Sequence, residues 1–386
     1  MRREDRLASA TMDFNLFQYC TVGRRAELEA GMAGRRGDLY QRMLDEIAEY
    51  VSLADELGYS GIGHPEHHLQ IEGFEASNEL GPMSMFLGAN TKRMKVISCG
   101  WVSTTHNPLR SAEYISTLDN MHRGRFAFGL VRGYQYRWVE NFKVLPELEA
   151  VGPWNRDTPA DDLNREHFAE WVDIVLTALR SETFSYKGKF WQFPAAGMVN
   201  PHPHRVYQDY GAGVAEDDSI TEIGIAPPPF QKPMPQLYGG FSNSMRTAMF
   251  WAQHEGRPIV LSSNLDFCKA LWQKYAEEAA RHGHTVADGD QAAWGGIMIC
   301  ADTDEQAWAQ AEDMLWMWDA WSVSFGNGRP PLLIGSPDTI TRQIEEAAAT
   351  FTLKDNFLIY PQGIAPREEV LRSLELFGTK VMPRFS

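Results

Sequence analysis

Short apolar runs alternate with longer amphipathic stretches along most of the chain. Met12–Tyr19 reads as a strand, and the helix after it places Met43, Ile47, Tyr50, Val51, Ala54 and Leu57 on one face, with Gly58 as its stop. Gly61–Gly63 is a second, very short strand that opens onto His64-Pro65-Glu66-His67-His68. Met94–Trp101 is strand-like, Ser111–Met121 is helical, and Phe126–Val131 is a strand ended by Arg132-Gly133. Further on, strands are expected near Gln236–Gly240, Pro258–Leu261, Gly296–Cys300 and Asn356–Tyr360. Helices are expected at Ser244–His254, Asp266–His282, Asp304–Trp321, Pro337–Thr350 and Arg367–Val381.

The middle of the chain breaks this rhythm. Glu166–Leu179 is a helix candidate, and Phe184–Phe193 is an aromatic, hairpin-like stretch. Residues 200–235 are rich in Pro, Gly and acids without a helical period, which predicts a long insertion, with 205–225 as a mobile cover. Eight strands, nearly all followed by helices, predict a closed parallel (β/α)8 TIM barrel with an insertion near residues 200–235. No G-x-G-x-x-G follows a first strand, so a dinucleotide-binding open sheet has no support. The expected organisation is a charged N-terminal extension, residues 1–11, and a single barrel domain, residues 12–386.

Charge and cysteine usage narrow the classes. The net charge of −15 disfavours a nucleic acid partner, although one local arginine can still hold an anionic cofactor. Cys20, Cys99, Cys268 and Cys300 are far apart, with no C-x-x-C pair, as expected of reduced thiols in a cytoplasmic protein. No apolar run is long enough to span a bilayer.

In such barrels the chemistry sits at the C-terminal ends of the strands, and three clusters fall there. Arg132-Gly133-Tyr134 offers a planar fork for phosphate oxygens, while Ser242-Asn243-Ser244 opens a helix whose N–H groups and dipole favour an anion. The bland alternatives are a surface ion pair and a plain helix cap. The third cluster, Glu66-His67-His68, stays open among three readings: structural histidines, a weakly signalled zinc site, or a general acid–base group near neutral pH. Trp308, Ala311, Leu315 and Trp318 share a helical face and are read as core, while Trp191 and Phe193 are candidates for lining a substrate pocket.

The run from Ala112-Glu113-Tyr114 through Leu118-Asp119-Asn120-Met121 to Gly124-Arg125-Phe126-Ala127-Phe128-Gly129-Leu130-Val131-Arg132-Gly133 resembles the central motif of the luciferase-like monooxygenases. Glu66-His67-His68 is similar to that family's active-site run. The tail from Gly335-Ser336-Pro337 to Val381-Met382-Pro383 resembles the luciferase catalytic subunit. The resemblance implies that His67, flanked by Glu66 and His68, acts on the flavin–oxygen adduct. It also implies that Arg132 with Gly133 grips the flavin phosphate and that Ser242, Asn243 and Ser244 add phosphate ligands. Cys99-Gly100 falls where the family has a non-prolyl cis peptide beside the flavin ring.

Two features depart from luciferase: Val131 replaces a reactive cysteine, and the loop after the seventh strand is short, near Gly326–Pro331. Light emission therefore does not follow. The implied reaction is two-component. A separate flavin reductase supplies reduced FMN, O2 adds to give a flavin hydroperoxide, and a small hydrophobic substrate is oxygenated in a chain expected to be a homodimer, without metal. The alternatives are a deazaflavin-dependent dehydrogenase on the same barrel, a non-catalytic flavin-binding subunit, and a metal-dependent hydrolase using His64, His67 and His68.

Overall fold

The computed structural model describes residues 11–202, 204–241, 244–323, 326 and 328–385. The expected N-terminal extension, apart from Thr11, lies outside the described residues, as do Ser242 and Asn243. The chain divides into two compact units. One comprises Met1–Gly100, Ala127–Gly129 and Gln236–Ser386, and the other Trp101–Phe126 and Leu130–Pro235.

The first unit is built on the parallel barrel. Its strands are β1 (Asp13–Phe17), β2 (Gly61–His64), β3 (Lys95–Val102), β4 (Phe126–Val131), β7 (Gln236–Gly239), β8 (Arg257–Val260), β9 (Ala293–Cys300) and β11 (Asp355–Ile359). They follow one another in chain order around the sheet, and the β8–β9 and β9–β11 pairings close it. All eight expected barrel strands are present. A further strand, β10 (Leu332–Gly335), was not expected. Ile297 of β9 pairs with Ile359 on one side and Leu332 on the other, so β10 continues the edge that β8 has left.

Asp355 ties the strand starts together. It accepts from Asn15 Nδ2 at 2.5 Å, Tyr238 OH at 2.8 Å and Arg257 Nη1 at 2.6 Å. Burial raises its carboxyl above the usual range against the pull of Arg257, so this polar plug is costly to disrupt. It sits at the opposite end of the strands from the His-rich run, which follows the end of β2.

The later helices begin within one residue of their expected starts. Pro337–Thr350 and Asp304–Trp321 begin as expected, the latter capped by Thr303. Pro108–Met121 and Pro159–Arg180 begin earlier than expected, because Asn107 and Thr158 cap them and proline takes the first helical position. On Asp304–Trp321 the buried stripe is Ala307, Ala311, Met314, Met317 and Trp318. Trp308 is about half exposed, which corrects its assignment to the core by one helical position. Among the described residues no helix is long and apolar enough to cross a membrane.

In the second unit the hairpin β5 (Tyr186–Lys187) and β6 (Gln192–Phe193) packs on the helix Pro159–Arg180. Glu170 of that helix accepts from the backbone N–H groups of Lys189, Phe190 and Trp191. Trp191 stacks on Phe193 and its indole N–H donates to His167 Nε2 at 3.3 Å, so these rings bury the helix face. The described residues of the 200–235 segment include some local structure. It carries a short helix, Val206–Tyr210, and antiparallel bridges Val199↔Ser219, Val214↔Ile220 and Phe184↔Ile223. Its end is fastened to the helix Pro108–Met121, where Asp119 accepts from the Gln231 backbone and side-chain amides at 2.8 and 2.7 Å.

Candidate active site

The loop that leaves β2 folds back on itself. The His67 backbone N–H donates to Ser77 O at 2.8 Å, closing residues 67–77 into a compact loop. The exit of β1 holds the far side of that loop: Val22 N donates to Gly73 O, Thr21 Oγ1 to Phe74 O, and Ala76 N to Cys20 O. Glu75 is thereby clamped between two anchored neighbours, and its Oε2 lies 2.9 Å from His67 Nδ1. Both side chains are buried, at 3% and 9% exposure, so Glu75 presents an oxygen to the Nδ1 edge of the His67 ring away from solvent.

The three histidines of the run have separate partners. His64 is fully buried among serines, with Nε2 3.0 Å from Ser84 Oγ and Nδ1 3.4 Å from Ser77 Oγ. His68 Nε2 lies 2.9 Å from Glu66 Oε1. Among the described residues no group of three or more His, Cys, Asp or Glu side chains is arranged to hold a metal ion.

Glu75 also lines a small recess, with room for little more than one water molecule, whose other walls are Tyr19, Phe74, Met317, Trp318, Trp321 and Ser322. Phe74 and Trp321 stack with centroids 5.4 Å apart and planes 8° apart, and Tyr19 meets Trp318 edge-on at 6.0 Å. Trp316 backs Phe74, with the Arg25 guanidinium 4.9 Å from its ring centre. The result is an apolar wall with one buried carboxylate. Neither Glu75 nor this recess was singled out in the sequence. The only sequence cue was the tryptophan-rich helix, read there as core.

Beside β2, the register His64↔Ser98 brings the Cys99–Gly100 bond next to the strand exit, and that bond is cis. Burial pushes the Cys99 thiol up to about 12, so it stays protonated and unreactive at neutral pH. Ser244 caps the helix Met245–Gln253, accepting from Thr247 N at 3.2 Å. Ser242 and Asn243 lie outside the described residues.

In the second unit Arg132 follows β4 directly. Its Nη1 is 2.5 Å from Asp161 Oδ1, while Arg165 reaches Asp161 Oδ2 at 3.1 Å. Burial works to raise the Asp161 carboxyl, but Arg132, the Asp157 N–H and Arg165 together hold it below the usual range. Gly133 has a left-handed φ of 93°, and a Cβ there would come within 2.5 Å of Val102 Cγ1. Val131 packs against Val102, Trp138, Val139 and Ala150.

The profile of the luciferase-like monooxygenases matches residues 30–375. The chain belongs to the luciferase-like monooxygenase family. It is 23% identical over 252 residues to the alkanal monooxygenase alpha chain of Photobacterium leiognathi, covering 65% of this chain and 58% of that relative. It is 22% identical over 364 residues to the 3,6-diketocamphane 1,6-monooxygenase of Pseudomonas putida, covering 86% and 90%. The oxygenating constituent of the 3,6-diketocamphane monooxygenase of Pseudomonas putida, solved in complex with FMN, shares the fold with a TM-score of 0.68. That likeness has 19% identity and covers 97% of this chain and 98% of that one. This luciferase-like chain thus carries the family's barrel, with Val131 in a packed apolar cluster.

Proposed function

We propose that this family member is the oxygenating component of a two-component system. It takes reduced FMN from a separate flavin reductase, together with O2, and oxygenates a small hydrophobic organic substrate. Reductase dependence and homodimeric assembly come from the resemblance. The observation that carries the reading is the buried His67–Glu75 contact, whose carboxylate also forms part of an aromatic recess. It sets a group suited to proton transfer near neutral pH beside an aromatic wall.

The residues present fit a flavin mononucleotide. Arg132 and Arg165 set two guanidinium groups beside Asp161, donors of the kind that bind phosphate oxygens. A Cβ on Gly133 would meet Val102 Cγ1 at 2.5 Å, so the backbone beside Arg132 stays free of a side chain. Arg132 and Gly133 would hold the phosphate. Reduced FMN, when bound, supplies the electrons that activate O2. For the protein's part, Arg132 would bind the phosphate and His67 would exchange a proton. Because Nδ1 faces Glu75, the exchanging atom is Nε2.

The test is a screen of carbonyl and terpene-like compounds with chemically reduced FMN in air, followed by product mass spectrometry. A mass gain of one oxygen supports the proposal. Turnover with a reduced deazaflavin but not with reduced FMN, without oxygen gain, would replace it with the dehydrogenase reading.

A further inference from the structure

We infer that Glu75 is a positioning residue for His67, fixing the imidazole so that Nε2 is the nitrogen presented for proton exchange. The inference rests on the monooxygenase reading for the identity of the reaction, but not for the pairing itself. Three observations carry it. Glu75 is buried, and an acidic side chain is rarely found so deep unless it is paired or hydrogen-bonded. Its Oε2 lies 2.9 Å from His67 Nδ1. Its backbone is held from both sides, through Thr21 Oγ1 to Phe74 O and Ala76 N to Cys20 O, while the His67 N–H is tied to Ser77 O in the same loop. Both partners therefore have little freedom, and holding one ring nitrogen settles where the other points. Glu66, the acid adjacent in sequence, is engaged with His68 instead.

The experiment is a double-mutant cycle, with a spectroscopic readout on the flavin-free chain. Glu75→Ala should lower kcat about 10–100-fold with KM moved less than about twofold, the usual scale for a group that acts through another. Glu75→Gln, which keeps an acceptor oxygen at the same place, should recover most of the loss. Adding Glu75→Ala to His67→Ala should cost nothing further, because the first residue acts only through the second. In the flavin-free protein labelled with 15N-histidine, the His67 ring resonances should shift or broaden in Glu75→Ala, while those of His68 stay in place. Additive losses in the double variant, or unchanged His67 resonances in Glu75→Ala, overturn the inference. If Glu75→Ala does not fold, Glu75→Asp carries the spectroscopic arm: a carboxylate drawn back by one methylene should move the His67 ring signals, and unmoved signals overturn the inference. If the ring signals respond but no compound is ever oxygenated, the pairing stands and the proposed reaction falls.

Discussion

A methyl group placed on Gly129 would come within 2.4 Å of the Cys99 sulfur. The two residues lie on neighbouring strands, β4 and β3, and this closeness packs the Cys99–Gly100 segment against β4. Gly129→Ala has no empty space to enter and must displace Cys99. The expected cost is about 1–3 kcal/mol, typical of overpacking a filled site. Urea unfolding should show a lower midpoint at unchanged slope. An unchanged midpoint would mean that the β3–β4 contact yields more easily than the geometry indicates.

Arg132 is tied to Asp161, so its role in anion binding can be read by comparing two flavins. Arg132→Ala should weaken reduced FMN by roughly 1.5–3 kcal/mol, about 10- to 150-fold, and leave riboflavin, which lacks the phosphate, almost unaffected. Anaerobic titration of both ligands against wild type and variant measures this. Equal losses for both would remove Arg132 from phosphate recognition and leave it as the counter-ion of Asp161.

Two buried histidines make folding acid-sensitive. Burial lowers both His122 and His167 from the ordinary value of 6.5 to about 4. The folded state therefore resists protonation that the unfolded chain accepts. Stability is full above about pH 6.5 and falls as the pH drops from there towards 4, by up to one proton per histidine in slope. The His122 ring stacks on Phe126, with planes 8° apart. His122→Phe should keep that stacking and remove one proton from the slope of unfolding free energy against pH between 6.5 and 4.5. An unaltered slope would assign the acid sensitivity to other groups.

The barrel was legible because each βα unit repeats the same change, from a short apolar run to an amphipathic helix. β10 was missed because Leu332–Gly335 follows two prolines and reads as the end of a loop; only pairing with the far half of β9 makes it a strand. The helix Leu80–Ala89 was missed for a different reason. Its sequence, LGPMSMFLGA, is apolar on all sides and carries Gly and Pro, so it has no amphipathic period. His67 was found through a local run. Glu75 was not, because nothing local marks an acid in a polar loop. Its partner is set by the closure of that loop through Ser77 and by the anchors from β1, which pattern along the chain does not encode. The tryptophan stripe on Asp304–Trp321 was displaced by one position, since Trp308 and Ala307 both fit a helical period and only packing chooses between them.

The central claim is that His67 handles a proton in an oxygen-transfer reaction. The most direct measurement is a single turnover with reduced FMN and 18O-labelled O2, using a substrate found in the screen. Wild type and His67→Ala are compared by rapid-mixing absorbance and product mass spectrometry. The account predicts label in the wild-type product. In His67→Ala it predicts retained fold and reduced FMN affinity, with product formation lower by about 10²–10⁴-fold, the scale for removing a general acid or base. His68→Ala should lose far less. Labelled product formed by His67→Ala at the wild-type rate would contradict the account.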